Sequence, residues 1–390
     1  MVKKLSDLSF AGKRVLVRVD FNVPLDASGR ILSDARIRES LPTIQAILKG
    51  GGKPVLLSHL GRPKGKVVES LRLLPVAKRL SELLGSPVLY VKDCIGPEAE
   101  AASQALTKGQ CLLLENLRFH DAEEAGDAEF AKALAKNGEI FVNDAFGAAH
   151  RAHASISGIG RLVPSAAGFL LQKELDAFAR VLNEPARPFV AILGGAKVSD
   201  KLPVIQNLLP KIDTLIIGGA MAYTFLLQMG HKVGTSLVEK DLLPEAGRVI
   251  LQAKNSGKRL LLPVDHICAA AFKADSPASV QPIDIPGSLM GLDIGPKTIA
   301  IYCDALKGSK TVIWNGPMGV FEMDAFCKGT EAVAHAVAAT GAFTVVGGGD
   351  SVAAAEKTGI VAKLSHVSTG GGASLELLEG KVLPGVAVLG

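Results

Sequence analysis

Short runs rich in Val, Leu and Ile alternate along this chain with amphipathic stretches. The run VLVRV is followed by the segment PTIQAILKGG, and the run PVLLS by the segment LRLLPVAKRLSELLG. Runs of the first kind are typical of strands, and segments of the second kind have the periodicity of helices. Strand and helix in regular alternation predict parallel βαβ units. The predicted fold class is therefore α/β.

The alternation restarts after residues 165–184, which predicts a domain boundary. The stretch SAAGFLLQKELDAFARVLNE is predicted to be helical, and Pro185 and Pro188 close it before the strand FVAILGG. A chain of 390 residues also exceeds what one compact α/β domain usually needs. We expect two Rossmann-like parallel-sheet domains, a bilobal arrangement joined by a helix and hinge. The predicted limits are residues 1–170, an interdomain helix over 171–185, residues 186–372, and a tail over 373–390.

Charge and cysteine content narrow the function classes. The formal net charge is only +5, and no basic stripe with interleaved aromatic residues is visible, so we expect no nucleic-acid partner. The five cysteines form no CxxC pair, which argues against both a disulfide framework and a zinc site and favours a reducing cytoplasm. No uninterrupted run of about 18 apolar residues occurs, so neither secretion nor membrane insertion is expected.

Strand-like runs in the first half of the chain end in basic residues. The segments VLLSHLGR, LLLENLRFH and FVNDAFGAAHRAH place His59, Arg62, Arg118, His150 and Arg151 just after such runs. Because ligands of open α/β sheets bind at the carboxyl ends of the strands, these side chains are predicted to form a site for a small anion. The alternatives are solvated surface arginines and structural histidines.

Strand-like runs in the second half end in glycine instead. They are VAILGGAKVSDK, LIIGGAM, VIWNGPMGVFE and TVVGGGDS, and the bare N–H groups after them could meet the phosphates of a nucleotide. Any one glycine pair could be only a tight turn. Asp350 in GGGDS offers an oxygen ligand for Mg²⁺, or an ordinary helix N-cap. Lys197 and Lys201 are four apart, so they would share one face of a helix that starts at the glycines, or form an exposed pair.

Several nucleotide and hydrolase motifs are missing from the chain. There is no G-x-x-x-x-G-K-[ST], no G-x-G-x-x-G that opens a helix with an acid about 20 residues later, no G-x-S-x-G and no H-E-x-x-H. A Walker-type NTPase and a hydrolase are therefore disfavoured. An NAD-type dehydrogenase is left as a rival that only the doubly wound pattern and the glycine turns suggest. A nucleotide-binding regulatory module without turnover is disfavoured because the first half carries a full anion site.

Eight segments resemble phosphoglycerate kinases, in that family's order and over essentially the whole chain. They are RVDFNVP, SHLGRP, ENLRF, NDAFGAAHRAHAS, GGAKVSDK, WNGPMGVFE, GGGDS and STGGGASLELLEGKVLPG. The resemblance implies a reversible, Mg²⁺-dependent phosphoryl transfer between 1,3-bisphosphoglycerate and ADP, giving 3-phosphoglycerate and ATP in glycolysis and gluconeogenesis. It also implies a monomer that closes about a hinge. The first domain would bind 3-phosphoglycerate, the second the nucleotide, and the tail would return to the first domain.

The resemblance assigns roles in the first half residue by residue. Asp20 and Asn22 would receive the hydroxyl and carboxylate end of 3-phosphoglycerate, although alone they could be a plain Asx turn before Pro24. Arg36, rather than its neighbour Arg38, would bridge the acceptor carboxylate and the transferring phosphoryl group. The distant phosphate would be held by His59, Arg62, Arg118 and Arg151. Arg18, His150 and His153 are left outside the core site.

The resemblance assigns the second half in the same way. Lys197 would hold the nucleotide phosphates, Lys201 would follow the migrating group, and Glu322 would accept from the ribose hydroxyls. The adenine pocket would be formed by Gly218, Gly219, Gly291 and Pro317. The phosphate and metal end would be formed by Gly348, Gly349, Asp350 and Ser351. The N–H groups of Gly371 and Gly372 would face the phosphoryl group, and the GGG stretch could also be a hinge. Two departures from the family pattern are mild: Ser351 replaces the usual Thr, and GHKVGTSLVEK lacks the frequent Lys before Ser236.

Overall fold

Two six-stranded parallel sheets organise the chain, one in each of two structural units. The computed structural model describes residues 2–390. The first unit runs to Asp176 and also includes Val382–Gly390, and the second unit is Ala177–Lys381. The predicted α/β class with two parallel-sheet domains is confirmed. Residues 373–381 of the predicted tail lie in the second unit, and the finer domain limits stay a prediction.

The first sheet has the strand order β3-β4-β2-β1-β5-β6. Its strands are β1 Arg14–Arg18, β2 Lys53–Leu57, β3 Val88–Tyr90, β4 Cys111–Leu113, β5 Ile140–Asn143 and β6 Ser165–Ala167. The helices of this part of the chain are α1 Ala35–Lys49, α2 Leu74–Leu84, α3 Pro97–Ala105, α4 Asp121–Ala125, α5 Ala128–Ala135 and α6 Phe169–Leu182. The chain passes from the first unit to the second within α6.

The second sheet has the order β15-β14-β13-β7-β8-β9, and a small antiparallel sheet has the order β11-β10-β12. The strands are β7 Phe189–Leu193, β8 Thr214–Ile217, β9 Arg259–Leu261, β10 Asp265–Ala269, β11 Ser279–Pro282, β12 Met290–Ile294, β13 Thr311–Asn315, β14 Phe343–Val346 and β15 His366–Val367. The helices are α7 Leu202–Leu208, α8 Met221–Gln228, α9 Leu243–Asn255, α10 Pro296–Leu306, α11 Lys328–Ala339, α12 Gly349–Lys357 and α13 Gly372–Leu378, with α14 Pro384–Ala387 returning to the first unit. The sequence pattern did not predict the small sheet.

Burial on both faces explains why the central strands are continuously apolar. Val15, Leu16 and Val17 of β1 are fully buried, and β1 pairs with β2 on one side and with β5 on the other. The amphipathic segment after β2 forms α2, which ends where Gly85 takes a left-handed φ of 68°. Glycine adopts this conformation without the clash that a Cβ would cause. Apolar residues thus form the strands, and the loops after their carboxyl ends can carry polar residues.

The helix predicted over 165–184 is wrong at its start. Ser165–Ala167 form the edge strand β6, which pairs in parallel with β5, and the helix begins only at Phe169. Gly168 separates the two elements, and a Cβ there would lie 2.2 Å from Asp144 Oδ1. The same Oδ1 accepts a hydrogen bond of 2.9 Å from Leu170 N at the start of α6. Small residues with helical propensity thus join the sheet because pairing with β5 outweighs local preference.

The last nine residues pack onto the first unit. Asn143 Nδ2 donates a hydrogen bond of 2.9 Å to Gly385 O, and Ser165 Oγ donates one of 2.7 Å to Val388 O. Both donors lie on strands of the first sheet, so the tail closes over its β5–β6 edge. No helix within residues 2–390 combines the length and the apolar character needed to cross a membrane.

Candidate functional site

Five basic residues predicted in the first half lie beside the carboxyl ends of four neighbouring strands. His59 and Arg62 follow β2, Arg118 follows β4, Arg151 follows β5, and Arg36 lies in the first turn of α1 after β1. These strands are adjacent in the order β4-β2-β1-β5. We call Arg36, His59, Arg62, Arg118 and Arg151 the basic cluster. Parallel pairing is what gathers His59 and Arg151, which lie about 90 positions apart in sequence.

The pKa of His59 shows how closely the arginines of this region approach it. Burial lowers the pKa of His59 well below its ordinary value, and the surrounding positive charges of Arg18, Arg118, Arg151 and Arg36 lower it further. Burial also lowers the pKa of Arg118, whose cationic neighbours include Arg151 and Arg62. Like charges held together in this way repel, so a bound anion would relieve the repulsion. The structure thus brings together the predicted basic residues.

Hydrogen bonds fix the loop after β2 from two sides. Asn22 Oδ1 accepts from Gly61 N at 2.8 Å, and Arg118 Nη1 donates to Gly61 O at 2.9 Å. Asp20 and Arg36, each predicted as a site residue, form an ion pair that the sequence analysis did not predict, with 2.5 Å between Asp20 Oδ2 and Arg36 Nη1. Both members of this pair are partly exposed. Asp20, Asn22 and the basic cluster therefore lie in one set of connected loops.

Arg18, which the sequence analysis left outside the core site, lies buried beneath the basic cluster. It is only 1% exposed, its Nε donates to Ser155 Oγ at 2.9 Å, and its Nη2 lies 3.1 Å from His59 Nδ1. Ser155 N in turn donates to the buried carboxylate of Glu123 at 2.9 Å. An arginine inside the apolar run VLVRV of a strand buried on both faces was the available signal, because such a charge needs buried partners. No comparable signal marked Glu123.

In the second unit the predicted glycine turns follow adjacent strands. Gly194 and Gly195 follow β7, Gly218 and Gly219 follow β8, and the stretch 347–349 follows β14. Pro317 comes two residues after the end of β13. With the strand order β14-β13-β7-β8, these turns share one edge of the sheet. The expectation that glycine ends these strands is confirmed.

A cavity of about 410 Å³ opens at this edge. Five predicted residues line it, namely Gly219, Gly291, Pro317, Glu322 and Asp350. Larger apolar side chains that the sequence analysis missed also line it: Tyr223, Leu237, Phe272, Met290, Leu292, Met318 and Val320. They come from loops, from α8 and from the small sheet, so no local pattern announced them. Leu237 and Phe272 are more than half exposed, so they leave apolar surface open to a ligand at the rim of the cavity.

Two of the predicted adenine-pocket glycines are required by close packing. A Cβ at Gly219, whose φ is +67°, would lie 2.5 Å from Gly195 N. A Cβ at Gly218 would lie 2.4 Å from the sulfur of Met318. Gly218 is not among the residues that line the cavity, and it acts by letting Met318 approach.

The two predicted lysines differ in their surroundings, and the helix expected to carry both is wrong. Helix α7 begins only at Leu202, after Gly195 takes a φ of +118°, and its first turn contains Pro203. Lys197 is exposed in the preceding loop. Lys201 is half-buried with Nζ bonded to Asn315 Oδ1, and burial lowers its pKa despite nearby Asp200, Asp350 and Glu379. The two lysines therefore do not share a helix face.

The turn after β14 combines backbone and side-chain polar groups. Helix α12 is capped by Gly348, whose φ is +91°, so Asp350 lies in its first turn and is not the N-cap. Asp350 is exposed at the cavity wall. Ser351 is buried, and its Oγ accepts from Gly316 N at 2.5 Å. Asn315 Nδ2 donates to Gly347 O at 2.7 Å, so the turns after β13 and β14 are tied together.

The predicted Gly371–Gly372 turn lies beside the turn after β14. Gly371 caps the short helix α13 with a φ of +47°, and Gly372 is the first helical residue. A Cβ at Gly347 would be 3.4 Å from Ser374 Cβ of α13. The first turn of α13 is thus close to the glycine turn of β14 within the second unit.

One further set of donor atoms lies outside these two areas. Asp93, Cys94 and His120 have donor atoms within 4.8 Å of one another, although no Cys-x-x-Cys spacing suggested it. His120 Nε2 and Asp93 Oδ1 are 2.8 Å apart and already satisfy each other. Burial raises the pKa of the Cys94 thiol well above its ordinary value. This set is therefore explained as a hydrogen-bonded pair beside a buried thiol.

Comparison with known proteins identifies the family. The family model described as phosphoglycerate kinase matches residues 5–381. The chain is 60% identical over 386 residues to the phosphoglycerate kinase of Moorella thermoacetica, an alignment that covers 99% of this chain and 98% of that protein. It is 56% identical over 386 residues to the phosphoglycerate kinase of Herpetosiphon aurantiacus, with the same coverage of 99% and 98%.

Solved structures agree with the sequence relatives. The structure of phosphoglycerate kinase from Coxiella burnetii matches with a TM-score of 0.93 and 42% identity, covering 100% of this chain and 99% of that one. The phosphoglycerate kinase from Pyrococcus horikoshii matches with a TM-score of 0.81 and 34% identity, covering 99% and 98%. From family model, relatives and structures alike it follows that the chain belongs to the phosphoglycerate kinase family, the carboxyl-acceptor kinases that transfer a phosphoryl group reversibly between 1,3-bisphosphoglycerate and ADP in glycolysis.

Proposed function

We propose that the basic cluster binds the phosphate of 3-phosphoglycerate, and that Asp20 and Asn22 receive its hydroxyl and carboxylate end. The convergence of Arg18, Arg118 and Arg151 around the buried His59 supports this proposal most directly, because so many cations gain from a divalent anion. Arg62, Arg118 and Arg151 are forked donors suited to phosphate oxygens. The 3-phosphoglycerate domain is accordingly the first one, with the predicted limits 1–170.

Arg36 neutralises the reacting end of the acceptor. Its Nη1 lies 2.5 Å from Asp20 Oδ2, and its exposed fraction of 43% leaves the guanidinium accessible to a ligand. A carboxylate acceptor is ionised at neutral pH because such groups titrate near pH 4, so the transfer needs no general base. Charge neutralisation and positioning are then the tasks of the site. Arg36 bridges the acceptor carboxylate and the migrating phosphoryl group in this proposal.

The cavity of the second unit binds the nucleotide, within the predicted domain 186–372. Apolar walls and the close backbone at Gly219, Gly291 and Pro317 suit a flat base, and Glu322 on the same wall accepts from the ribose hydroxyls. Gly218 contributes to this pocket indirectly, because its lack of a side chain lets Met318 approach. Lys197 holds the nucleotide phosphates from its exposed loop. Lys201, half-buried beside Asn315, follows the phosphoryl group during transfer. The turn amides of Gly348, Gly349, Gly371 and Gly372, with Ser351 supporting Gly316, stabilise charge on the moving oxygens.

Mg²⁺ is held with the nucleotide at Asp350. The residues fit this ion, because Asp350 is an exposed carboxylate on the cavity wall and Mg²⁺ is commonly bound by one or two carboxylates together with substrate phosphates. When bound, the ion neutralises phosphate charge. Asp350→Asn should weaken binding of MgADP but not of ADP measured with a chelator present.

Closure of the two domains excludes water from the reaction, because water would otherwise hydrolyse an acyl phosphate. We assign the hinges to the predicted interdomain helix 171–185 and to the Gly370–Gly372 stretch. Small-angle scattering should show compaction when both substrates are added, and unchanged dimensions would contradict this. We further propose that the protein is cytoplasmic and has no nucleic-acid or membrane partner. We also propose that it is a monomer, and sedimentation can test its oligomeric state.

Isothermal titration calorimetry with 3-phosphoglycerate tests the assignment of the basic cluster. Arg62→Ala removes an exposed member of the cluster and should weaken binding about tenfold or more, the expected loss of a charged hydrogen bond. Arg161→Ala, an exposed arginine elsewhere in the same unit, is the matched control and should bind as the unmodified protein does. Equal affinity for Arg62→Ala and Arg161→Ala would refute the assignment of Arg62.

A further inference from the structure

We propose that Arg18 is a positioning residue that holds His59 as a neutral imidazole with its proton on Nε2, so that His59 donates a hydrogen bond to the substrate phosphate. This inference deepens the proposed function and rests on it for the identity of the ligand. It separates His59 from the other members of the basic cluster. They contribute positive charge, whereas His59 contributes a directed neutral donor.

The contact between the two side chains fixes the tautomer. Arg18 Nη2 lies 3.1 Å from His59 Nδ1. A guanidinium has donors only and is not deprotonated in proteins, so Nδ1 must accept. A neutral imidazole that accepts at Nδ1 carries its proton at Nε2. An imidazolium would instead place two donors against each other in a buried contact, which costs the full desolvation of both groups.

Arg18 cannot rotate away from His59, because its other donors are occupied. Nε donates to Ser155 Oγ at 2.9 Å, and Nη1 donates to Val19 O. Ser155 is itself fixed, since its N and Oγ both donate to the carboxylate of Glu123, at 2.9 Å and 2.5 Å. The hydroxyl of Ser155 thus accepts a hydrogen bond from Arg18 and donates one to Glu123.

The charges around His59 oppose its protonation from every side. Arg18 comes from β1, Arg36 from α1, Arg118 from the turn after β4 and Arg151 from the loop after β5. His153 is nearby, and burial together with Arg118 and Arg18 lowers its pKa to about 4, so it is also neutral near pH 7. The balancing negative charges near Arg18 are Glu123 and Asp20. Each of these four arginines lowers the pKa of His59, and a second proton on its ring would add one more positive charge among them.

The opposite ring nitrogen, Nε2, is available to a ligand. Across residues 2–390 no hydrogen bond involves His59 Nε2, and the side chain is 6% exposed. A phosphate oxygen can therefore accept from Nε2–H while the arginines supply the charge. Because this donor does not titrate near neutral pH, its hydrogen bond to phosphate is not lost as the pH rises through the ordinary range of histidine.

Nitrogen-15 NMR of the ligand-free protein tests the tautomer without any substrate. The His59 ring, identified by the loss of its signals in His59→Gln, should show an unprotonated Nδ1 and a protonated Nε2, unchanged from about pH 8 to about pH 6. Protonation of Nδ1, or of both nitrogens, anywhere in that range would overturn the proposal. This measurement does not depend on 3-phosphoglycerate, so it fails or succeeds independently of the proposed function.

A pair of amide substitutions tests which nitrogen meets the phosphate. The amide nitrogen of Gln reaches the position of Nε2, and that of Asn the position of Nδ1. Calorimetry with 3-phosphoglycerate should therefore find that His59→Gln binds about tenfold more tightly than His59→Asn, the value of one hydrogen bond to a charged group. Equal affinity, or tighter binding by His59→Asn, would overturn the proposal. Failure of the unmodified protein to bind 3-phosphoglycerate would overturn the proposed function, and the ring nitrogens would still decide the tautomer.

Discussion

Lys357 on α12 donates a hydrogen bond of 2.8 Å to the carbonyl oxygen of Phe321, the residue before Glu322. The same helix begins at the glycine turn that carries Asp350. One side chain therefore connects the loop assigned to the ribose with the helix assigned to the phosphates and metal.

Loss of this connection should weaken nucleotide binding without slowing the transfer. Lys357→Ala is expected to raise KM for ADP severalfold and leave kcat unchanged, since one half-exposed hydrogen bond contributes about 1 kcal/mol. Lys357→Arg should recover most of the affinity because it can still donate. Lys363→Ala, an exposed lysine that follows the same helix, is the control. A fall in kcat with KM unchanged would argue against a positioning role.

Substitution of Lys201 should mainly reduce turnover, and substitution of Lys197 should mainly weaken ADP binding. Lys201 is half-buried beside Asn315, whereas Lys197 is exposed. Lys201→Met is predicted to keep ADP binding largely intact while turnover falls by orders of magnitude, because its charge acts on the moving phosphoryl group. Lys197→Met should instead weaken ADP binding. Calorimetry and steady-state rates distinguish the two, and equal loss of binding and turnover in Lys201→Met would contradict its assigned role.

A glycine pair isolates the effect of close backbone packing at the cavity. Gly219 and Gly257 have similar φ values of +67° and +65°, but a Cβ at Gly219 would lie 2.5 Å from Gly195 N and O, whereas a Cβ at Gly257 meets nothing within 4 Å. Gly257→Ala should cost about 1 kcal/mol of unfolding free energy from its left-handed φ alone. Gly219→Ala should cost clearly more and should also abolish tight ADP binding. Urea unfolding and calorimetry measure both effects, and equal costs would show that the cavity edge relaxes.

The buried carboxyl of Asp144 should give the protein a defined pH dependence. Burial raises its pKa to about 6, against the ordinary value of 3.8. Because the folded pKa is the higher one, the folded state binds the proton more tightly, and this group's contribution to stability falls as the pH rises from about 4 to about 6. Asp144→Asn keeps an acceptor for Leu170 N but cannot ionise.

The free energy of unfolding of Asp144→Asn, relative to the unmodified protein, should therefore rise by about 2 to 3 kcal/mol between about pH 4 and pH 7. Comparison of the two proteins cancels the opposite trend of His153, whose lowered pKa removes stability as the pH falls. Urea unfolding at several pH values gives the difference. If the free energy of unfolding of Asp144→Asn instead falls relative to that of the unmodified protein as the pH rises, ionised Asp144 stabilises α6 and the prediction is wrong.

The pattern of apolar residues was sufficient to predict the central strands and the positions at which they end. Val15–Val17 are buried between two neighbours, so an uninterrupted apolar run is enough to identify β1. The same rules failed where pairing or packing competes with propensity. Ser165–Ala167 joined the sheet edge rather than the helix, and Gly195 with Pro203 delayed α7 beyond both lysines.

The site was predictable only where it lies on strand ends. His59, Arg118 and Arg151 follow apolar runs, so their convergence follows from parallel pairing. Leu237 and Phe272 reach the cavity from loops far apart in sequence, and no periodicity encodes such a meeting. The support of Arg18 by Ser155, 137 positions away, and of Ser155 by Glu123, 32 positions away, depends likewise on the complete fold.

The most direct test incubates the protein with MgATP and 3-phosphoglycerate and traps the acyl phosphate with hydroxylamine. Arg36 and Arg38 lie on the same helix, but Arg36 contacts Asp20 whereas Arg38 contacts Asp34. The unmodified protein and Arg38→Ala should form the hydroxamate, and Arg36→Ala should form little or none while still binding MgADP. Hydroxamate formation by Arg36→Ala at the unmodified rate would contradict the assignment of the acceptor site.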